Sequence, residues 1–310
     1  MKVRVVILNY NGEKLLQECL PSVVEAGRKA KHPTLITVID NKSEDRSLEI
    51  LRDRFADVEV YQAPENRVLC SYNEYLQKIE EPIVILLNND IRVAPDFVDP
   101  LLGHFEKSSD IFMVTPRCRS FDGEHYEGGR SQSRIKYGLF WNSSSFEGHQ
   151  AQIDQAGFTM AAGFGAFDRN KFLELGGYDD LYLPGRLEDT DICFRAWKRG
   201  WRCLYEPHSV VYHRGAASFN EKYGPQKTLI LGHRNAFLFL WKNITDPLYL
   251  AEHFLLLIPR LLYALLTGKV EIVMGFFKAL SLVPLVLRKR KKALSEKRVR
   301  GDRQIFELVK

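Results

Sequence analysis

The chain predicts an α/β fold with a mainly parallel central sheet flanked by helices and a helical appendage at its C-terminal end. Two observations carry this. From Val3 to Thr115, β-branched apolar runs alternate with segments whose apolar residues fall at helical spacing, and such alternation implies parallel strands covered on both faces. The fourth run, Ile83-Val84-Ile85-Leu86, then empties into Leu87-Asn88-Asn89-Asp90. A buried strand that ends so delivers a carboxylate to the carboxyl edge of a sheet, where open α/β folds bind ligands and where a hard divalent cation can be held. Asn and Asp are also good turn formers, and the motif alone leaves a plain turn open.

The elements follow in order. Val3–Leu8 is a strand, and Gly12–Lys29 is a helix with Leu15, Leu16, Cys19, Leu20, Val23 and Val24 at helical spacing. Leu35–Ile39 returns to strand before Asp40. Ser43 and Asp45 offer N-caps to a helix running to Phe55. Val58–Tyr61, Leu69–Ile79 and Pro82–Leu87 continue as strand, helix and strand; Pro95 and Asp96 open a helix to Phe105, and Ile111–Thr115 is a further buried strand. Glycines and a serine run punctuate Cys118 to Gln155, which reads as a long loop-rich insertion, a candidate acceptor loop or lid. Order returns at Gly157–Phe167 and in the short helix that Gly176-Gly177 stops.

Composition bounds the class. The 310 residues, 45% apolar and 12% aromatic, suffice for one large or two modest domains with a real core. Five scattered cysteines show no C-x-x-C pair and no metal-like spacing to histidine, which is expected of reduced thiols in a cytosolic chain. The opening strand leaves no room for a signal peptide. Residues 288–303 hold nine Lys/Arg against Glu296 and Asp302. That basic block contains no aromatic side chain, which disfavours nucleic acid; apolar helices directly before it favour an anionic membrane.

Two further polar clusters join the Asp90 motif. Glu188-Asp189-Thr190-Asp191 stands at the start of a helix that runs through Trp197 and ends before Gly200, where the macrodipole favours ionised acids. Simple capping and an Asp191–Arg195 pair explain that cluster equally well. His213-Arg214-Gly215-Ala216-Ala217-Ser218 follows the strand Val210–Tyr212, and it offers an imidazole to a metal and a guanidinium to phosphate. The functional reading requires Asp90, Asp189 and His213 to converge at one edge of one sheet.

Taken in order, Val5-Val6-Ile7-Leu8-Asn9-Tyr10-Asn11-Gly12, Val38-Ile39-Asp40-Asn41, Leu86-Leu87-Asn88-Asn89-Asp90, Gly176-Gly177-Tyr178-Asp179, Glu188-Asp189-Thr190-Asp191 and the His213 motif resemble family 2 inverting glycosyltransferases of the GT-A fold, above all bacterial rhamnosyltransferase-like members. The resemblance spans about residues 1–240. It implies a GT-A domain over 1–225, with a nucleotide-binding half to about 117 and an acceptor half from 118. It places Asn9, Tyr10, Asn11, Asp40, Asn66, Asn73, Asn89 and Arg214 around a nucleotide-diphosphate sugar. Asp90 and His213 would hold Mg²⁺ or Mn²⁺, Asp189 would be the catalytic base and Glu188 would bind the acceptor. Two departures stand out: Asn88 replaces the first acid of the D-x-D motif, and Val68, Ser71 and Tyr72 occupy positions where small glycines are usual.

Residues 226–310 form the helical region. His233-Arg234-Asn235 lies in an apolar helix, Leu229–Trp241, that in this family packs near the active site. Leu248–Leu266 and Val270–Leu287 are interrupted by Glu252, His253, Pro259, Arg260, Glu271, Lys278 and Pro284, so they read as in-plane amphipathic helices rather than spans. Core completion or a homodimer interface is the alternative. The resulting expectation is a cytoplasmic enzyme at the inner face of the cell membrane that glycosylates a lipid-linked saccharide in cell-surface polysaccharide synthesis. The competing readings are a nucleotidyltransferase, disfavoured because Asn9-Tyr10-Asn11-Gly12 is not a Gly-rich basic loop, and a non-catalytic nucleotide-sugar-binding protein, which has no reason to keep both Asp90 and Asp189.

Overall fold

The computed structural model describes residues 1–160, 163–214 and 223–310. The chain runs β1 (Val3–Asn9), α1 (Glu13–Lys29), β2 (Thr34–Asp40), α2 (Ser47–Arg54), β3 (Glu59–Gln62), α3 (Ser71–Tyr75), β4 (Ile83–Asn88), β5 (Ile91–Val93), α4 (Val98–Lys107) and β6 (Ile111–Ser120). It continues through β7 (Tyr126–Gly128), β8 (Gln132–Lys136), β9 (Leu139–Ser143), β10 (Gly157–Phe158), β11 (Gly165–Asp168), α5 (Arg169–Glu174), α6 (Glu188–Lys198) and β12 (Arg202–His213). Among the described residues, five helices follow: α7 (Pro225–Asn243), α8 (Pro247–Leu266), α9 (Val270–Leu280), α10 (Val283–Ser295) and α11 (Asp302–Leu308).

The main sheet has the order β10-β12-β6-β11-β4-β1-β2-β3, with β5 on β12 and β7 on β6. Strands β4, β1, β2 and β3 are parallel, as the alternation predicts. Strand β11 enters antiparallel between β4 and β6, so the sheet is mixed across its middle. Period-two alternation sorts side chains between two cores. Val5 and Ile7 face α1 and α4 with Leu16, Leu20 and Leu101, while Val6, Val84 and Phe112 face α6 and the C-terminal helices with Trp197, Phe237, Ala279 and Ile305. The C-terminal helices are therefore built into the second core of the sheet domain.

Three expectations change. The 118–155 insertion is largely strand: β6 runs on to Ser120, β7 pairs back on it, and β8–β9 form a separate hairpin. The helix expected over Leu69–Ile79 is confined to Ser71–Tyr75 with a 3₁₀ turn before it. The basic block is no free tail. Lys289 Nζ lies 2.6 Å from Asp179 Oδ1 and 2.7 Å from Asp180 Oδ1, and Arg290 donates to the carbonyls of Trp241 and Ile244 at 2.8 and 2.7 Å, closing the C-terminus of α7.

Helix α8 is long and apolar enough to cross a membrane by length and composition, and only 11% of its apolar window is buried. His253, however, ties one face of it to the protein: its Nε2 accepts from Trp241 Nε1 at 2.9 Å and its Nδ1 donates to the Gly138 carbonyl at 2.7 Å.

A buried ion network joins α6 to α7. Lys242 Nζ sits 2.7 Å from Asp191 Oδ1 and 2.5 Å from Asp179 Oδ2, and Arg195 Nε sits 2.7 Å from Asp191 Oδ2. Removing one partner of such a pair strands a buried charge. Lys242→Ala is expected to lower unfolding free energy by about 3–5 kcal/mol in chemical denaturation, whereas an exposed-pair control, Arg28→Ala, stays within about 1 kcal/mol.

Candidate active site

Strand ends assemble the site. Asn9 pairs with Asp40 in the β1–β2 register and Leu8 with Asn88 in β1–β4, so the carboxyl ends of three strands lie side by side. Asn9, fully buried, donates from Nδ2 to Asp40 Oδ1 at 3.2 Å and accepts at Oδ1 from Asn89 Nδ2 at 2.8 Å. A Cβ on Gly12 would fall 2.1 Å from Asn89 Nδ2 and 2.3 Å from Asn9 Oδ1; glycine is needed there to let this pair form. Asp40 Oδ2 accepts from the Ser43 amide at 3.1 Å. Asn11, in left-handed backbone at φ 49, accepts from the Glu44 amide at 2.7 Å, and Tyr10 stands exposed at the rim. Asn66, also exposed, accepts from Asn41 Nδ2 at 2.9 Å.

Asp90 and His213 meet because β5 pairs antiparallel with β12, putting Ile91 opposite His213, while the Arg214 amide donates to the Asp90 carbonyl at 3.2 Å. His213 Nε2 is 3.5 Å from Asp90 Oδ2, and its Nδ1 is 3.2 Å from Glu127 Oε2. Burial works to lower the imidazole pKa, but the two carboxylates outweigh it and hold the ring above its ordinary value. Among the described residues Asp90 Oδ1 is buried with no hydrogen-bond partner. An orphaned carboxylate oxygen beside an imidazole is a donor set that fits a hard divalent cation.

Two residues assigned to the nucleotide have partners within the protein. Asn73 spends both ends of its amide on the Tyr178 backbone, donating to its carbonyl at 2.8 Å and accepting from its N–H at 2.9 Å, and so fixes the Gly176–Asp179 turn. Arg214 is paired with both oxygens of Glu18 on α1 and lies over the Phe121 ring. This pair lies at the surface, both side chains more than a third exposed. Gly215 to Ser218 of the same motif lie outside the described residues.

Glu188 and Asp189 open α6 after two residues in left-handed backbone, Arg186 at φ 78 and Leu187 at φ 69, a conformation costing on the order of 1–2 kcal/mol per residue. Asn235 stabilises that turn, donating to the carbonyls of Tyr182, Gly185 and Arg186 at 3.1, 2.8 and 2.7 Å, while Arg234 donates to that of Leu183 at 2.6 Å. Asp189 Oδ1 accepts from the Thr190 amide at 2.7 Å. Both acids are raised by burial above the usual carboxylate range, Glu188 to about 8 with help from the Asp189 charge. Glu188 Oε2 is buried without a partner among the described residues. Tyr72 and Tyr178 form a buried pair of rings 6.3 Å apart. After burial itself, the charge of Asp90 raises Tyr72, and those of Asp189 and Glu188 raise Tyr178.

Sequence reasoning singled out Asn235 but missed Lys242 and Glu127. Glu127 carries a signal, since Gly128-Gly129 directly after it marks a turn; Lys242, in an apolar run, carries none.

Residues 4–176 match the family model described as Glycosyl transferase family 2. The chain belongs to that family. A Drosophila melanogaster protein named as a polypeptide N-acetylgalactosaminyltransferase 10 is 25% identical over 139 residues, covering 43% of this chain and 22% of that protein. The crystal structure of GalNAc-T7 with UDP, GalNAc and Mn²⁺ superposes with a TM-score of 0.59 at 20% identity, over 80% of this chain and 49% of that one. The mannosyltransferase PcManGT from Pyrobaculum calidifontis, in complex with GDP-Man and Mn²⁺, gives 0.56 at 15% identity, over 99% and 83% of the two chains. S. aureus TarS residues 1–349 gives 0.53 at 16%, over 82% and 71%. These likenesses establish a GT-A-like fold. The chain spans about a fifth of the length of the curated relative and half that of GalNAc-T7.

A carboxyl group whose pKa is raised stays protonated until the pH passes that value. The family 2 chain is thus expected to show an infrared band of protonated carboxyl at pH 7 that disappears as pH rises through about 8, and Glu188→Gln should remove it.

Proposed function

We propose that the protein is an inverting, metal-dependent glycosyltransferase. It would move a sugar from a nucleoside-diphosphate donor to a hydroxyl of a lipid-linked saccharide, in the rhamnosyltransferase-like branch that builds cell-surface polysaccharide. The observation that carries the metal-assisted reading is the orphaned Asp90 oxygen beside His213; an acid pair whose protonation is tuned by burial stands at the start of α6. Membership of family 2 supports it, as do two structural relatives with Mn²⁺ and UDP or GDP-Man.

Asn9, Asn11 and Asp40 line the strand ends where a nucleoside would lie. Asp90 and His213 would hold Mg²⁺ or Mn²⁺. Bound there, the cation would supply Lewis-acid neutralisation of the leaving diphosphate. Asp189 receives the proton of the acceptor hydroxyl as its oxygen bonds to the anomeric carbon and the bond from that carbon to the diphosphate oxygen breaks. Attack from the face opposite the leaving group inverts the centre. Glu188, protonated below about pH 8, donates to an acceptor oxygen and keeps a second negative charge away from the base. General-base assistance is typically worth 10²–10⁴-fold. Asp189→Asn is expected to lower transfer by about that factor while UDP- or GDP-sugar affinity, read by calorimetry, changes only a few-fold. Ordinary turnover in this variant removes the assignment.

The acceptor reading rests on the C-terminal helices. Leu255, Ile258, Leu262 and Leu266 are more than half exposed along one face of α8, and Met274 and Phe277 extend this apolar surface onto α9. Arg288, Lys291 and Lys292 remain exposed beside it after Lys289 and Arg290 turn inward. Such a ridge, laid into the inner membrane face and flanked by cations, suits anionic lipid. In flotation assays the chain is expected to rise with phosphatidylglycerol vesicles, and Leu255→Glu/Leu262→Glu to stay in the soluble fraction.

A further inference from the structure

We propose that Glu127 is the positioning residue of the metal centre. Its carboxylate accepts the Nδ1–H of His213, and so leaves the Nε2 lone pair aimed at Asp90. This inference rests on the metal reading given under Proposed function and adds to it the residue that sets the ligand's tautomer and orientation.

The backbone is built to aim this side chain. Strand β7 pairs antiparallel with β6, Cys118 opposite Gly128 and Arg119 opposite Tyr126, so two consecutive residues of β6 face three of β7. Glu127 is the extra, unpaired residue of that β-bulge. Bulges re-aim a side chain out of regular alternation. On the other side of β6, Cys118 and Arg119 are in register with Val211 and Tyr212, and Ser120 with His213; the bulge therefore lies beside the end of β12. Gly129 makes the exit from the bulge possible. It has φ 111, and a Cβ there would fall 2.3 Å from the Pro116 carbonyl oxygen.

Chemistry then assigns the proton. An ionised carboxylate can only accept, so a hydrogen bond between Glu127 Oε2 and Nδ1, 3.2 Å apart, requires the hydrogen on Nδ1. A neutral imidazole has one N–H; Asp90 Oδ2 stands at 3.5 Å from Nε2, longer than the Nδ1 contact, so the hydrogen belongs on Nδ1 and Nε2 is left as the acceptor that a cation beside Asp90 needs. Carboxylates that hold the far nitrogen of a histidine ligand typically change metal affinity by about 10–100-fold when removed. Cys118 offers the alternative partner, since its Sγ lies within 4.8 Å of the ligand atoms of Glu127 and His213. The Cys118 thiol is directed to the Arg119 carbonyl at 3.8 Å, which leaves the carboxylate as the group that acts on the imidazole.

The experiment uses the full chain and two readouts. Mn²⁺ binding is measured by loss of the free-ion electron paramagnetic resonance signal. Glu127→Ala is expected to weaken it about 10–100-fold. Glu127→Gln should fall between, because its amide oxygen still accepts the same hydrogen bond, and Cys118→Ser and the neighbouring Glu124→Ala should match the unaltered chain. The second readout needs no metal: ¹⁵N resonance of His213 at a pH where the ring is neutral is expected to show the Nδ1–H tautomer, shifting toward Nε2–H in Glu127→Ala. An Nε2–H tautomer in the unaltered chain, or Mn²⁺ affinity unchanged by Glu127→Ala, overturns the role of Glu127. Failure of the unaltered chain to take up Mn²⁺ overturns the metal reading instead, and the tautomer measurement still decides whether Glu127 orients the ring.

Discussion

Asp191 has no exposed surface and would be untenable as an ion without the groups around it. Lys242, Arg195, Asn243 and the Tyr182 hydroxyl all reach its two oxygens, at 2.7 to 2.9 Å. Burial opposes the charge, and the cations of Lys242 and Arg195 outweigh burial, holding Asp191 below the usual carboxylate range. Because Asp191 belongs to the first turn of α6 and Lys242 to the end of α7, satisfying this charge docks the C-terminal helices on the sheet domain. The same helix start carries Glu188 and Asp189, so the position of the acid pair is inherited from a buried ion network two residues away. Arg195 extends the network by donating to the carbonyls of Leu175 and Gly177, which ties the Gly176-Gly177 turn to the same point.

Helix α7 contributes twice. Its end supplies Lys242, and its middle supplies Asn235 and Arg234, whose hydrogen bonds keep residues 182–186 in a backbone that Arg186 and Leu187 would otherwise leave. A left-handed conformation at two non-glycine residues persists only when surrounding structure over-determines it. Helix α7 supplies part of that support through Asn235 and Arg234. The helices therefore act on the acid pair through packing, whatever else their exposed faces touch.

Much of the sheet was legible because its signals are local. Val3–Leu8, Leu35–Ile39 and Ile83–Leu86 are runs that are largely β-branched and apolar, and Asn-Asn-Asp after the fourth strand puts a carboxylate at the sheet edge. Strands β5, β7 and β11 were not legible. Each is short, and each exists by pairing with a partner distant in sequence: β5 with β12, β7 with the far half of β6, β11 with β4 and β6. The same holds for Asn73 and Arg214. Their residue types suit a nucleotide cleft, and their partners in the fold, Tyr178 and Glu18, lie more than a hundred residues away in each case, which no local pattern shows.

By itself the sequence determined the order of strands and helices in the nucleotide half, the three polar clusters and the type of chemistry their side chains permit, because hydrophobic periodicity and residue chemistry are properties of a segment and its near neighbours. Only the tertiary structure decided which of those side chains remain free. It brought Asp90 and His213 within 3.5 Å, set Glu127 behind the imidazole by a bulge, and turned Lys289 and Arg290 inward. Those outcomes follow from long-range pairing and from the need of every buried charge and polar group for a partner, which no local pattern encodes.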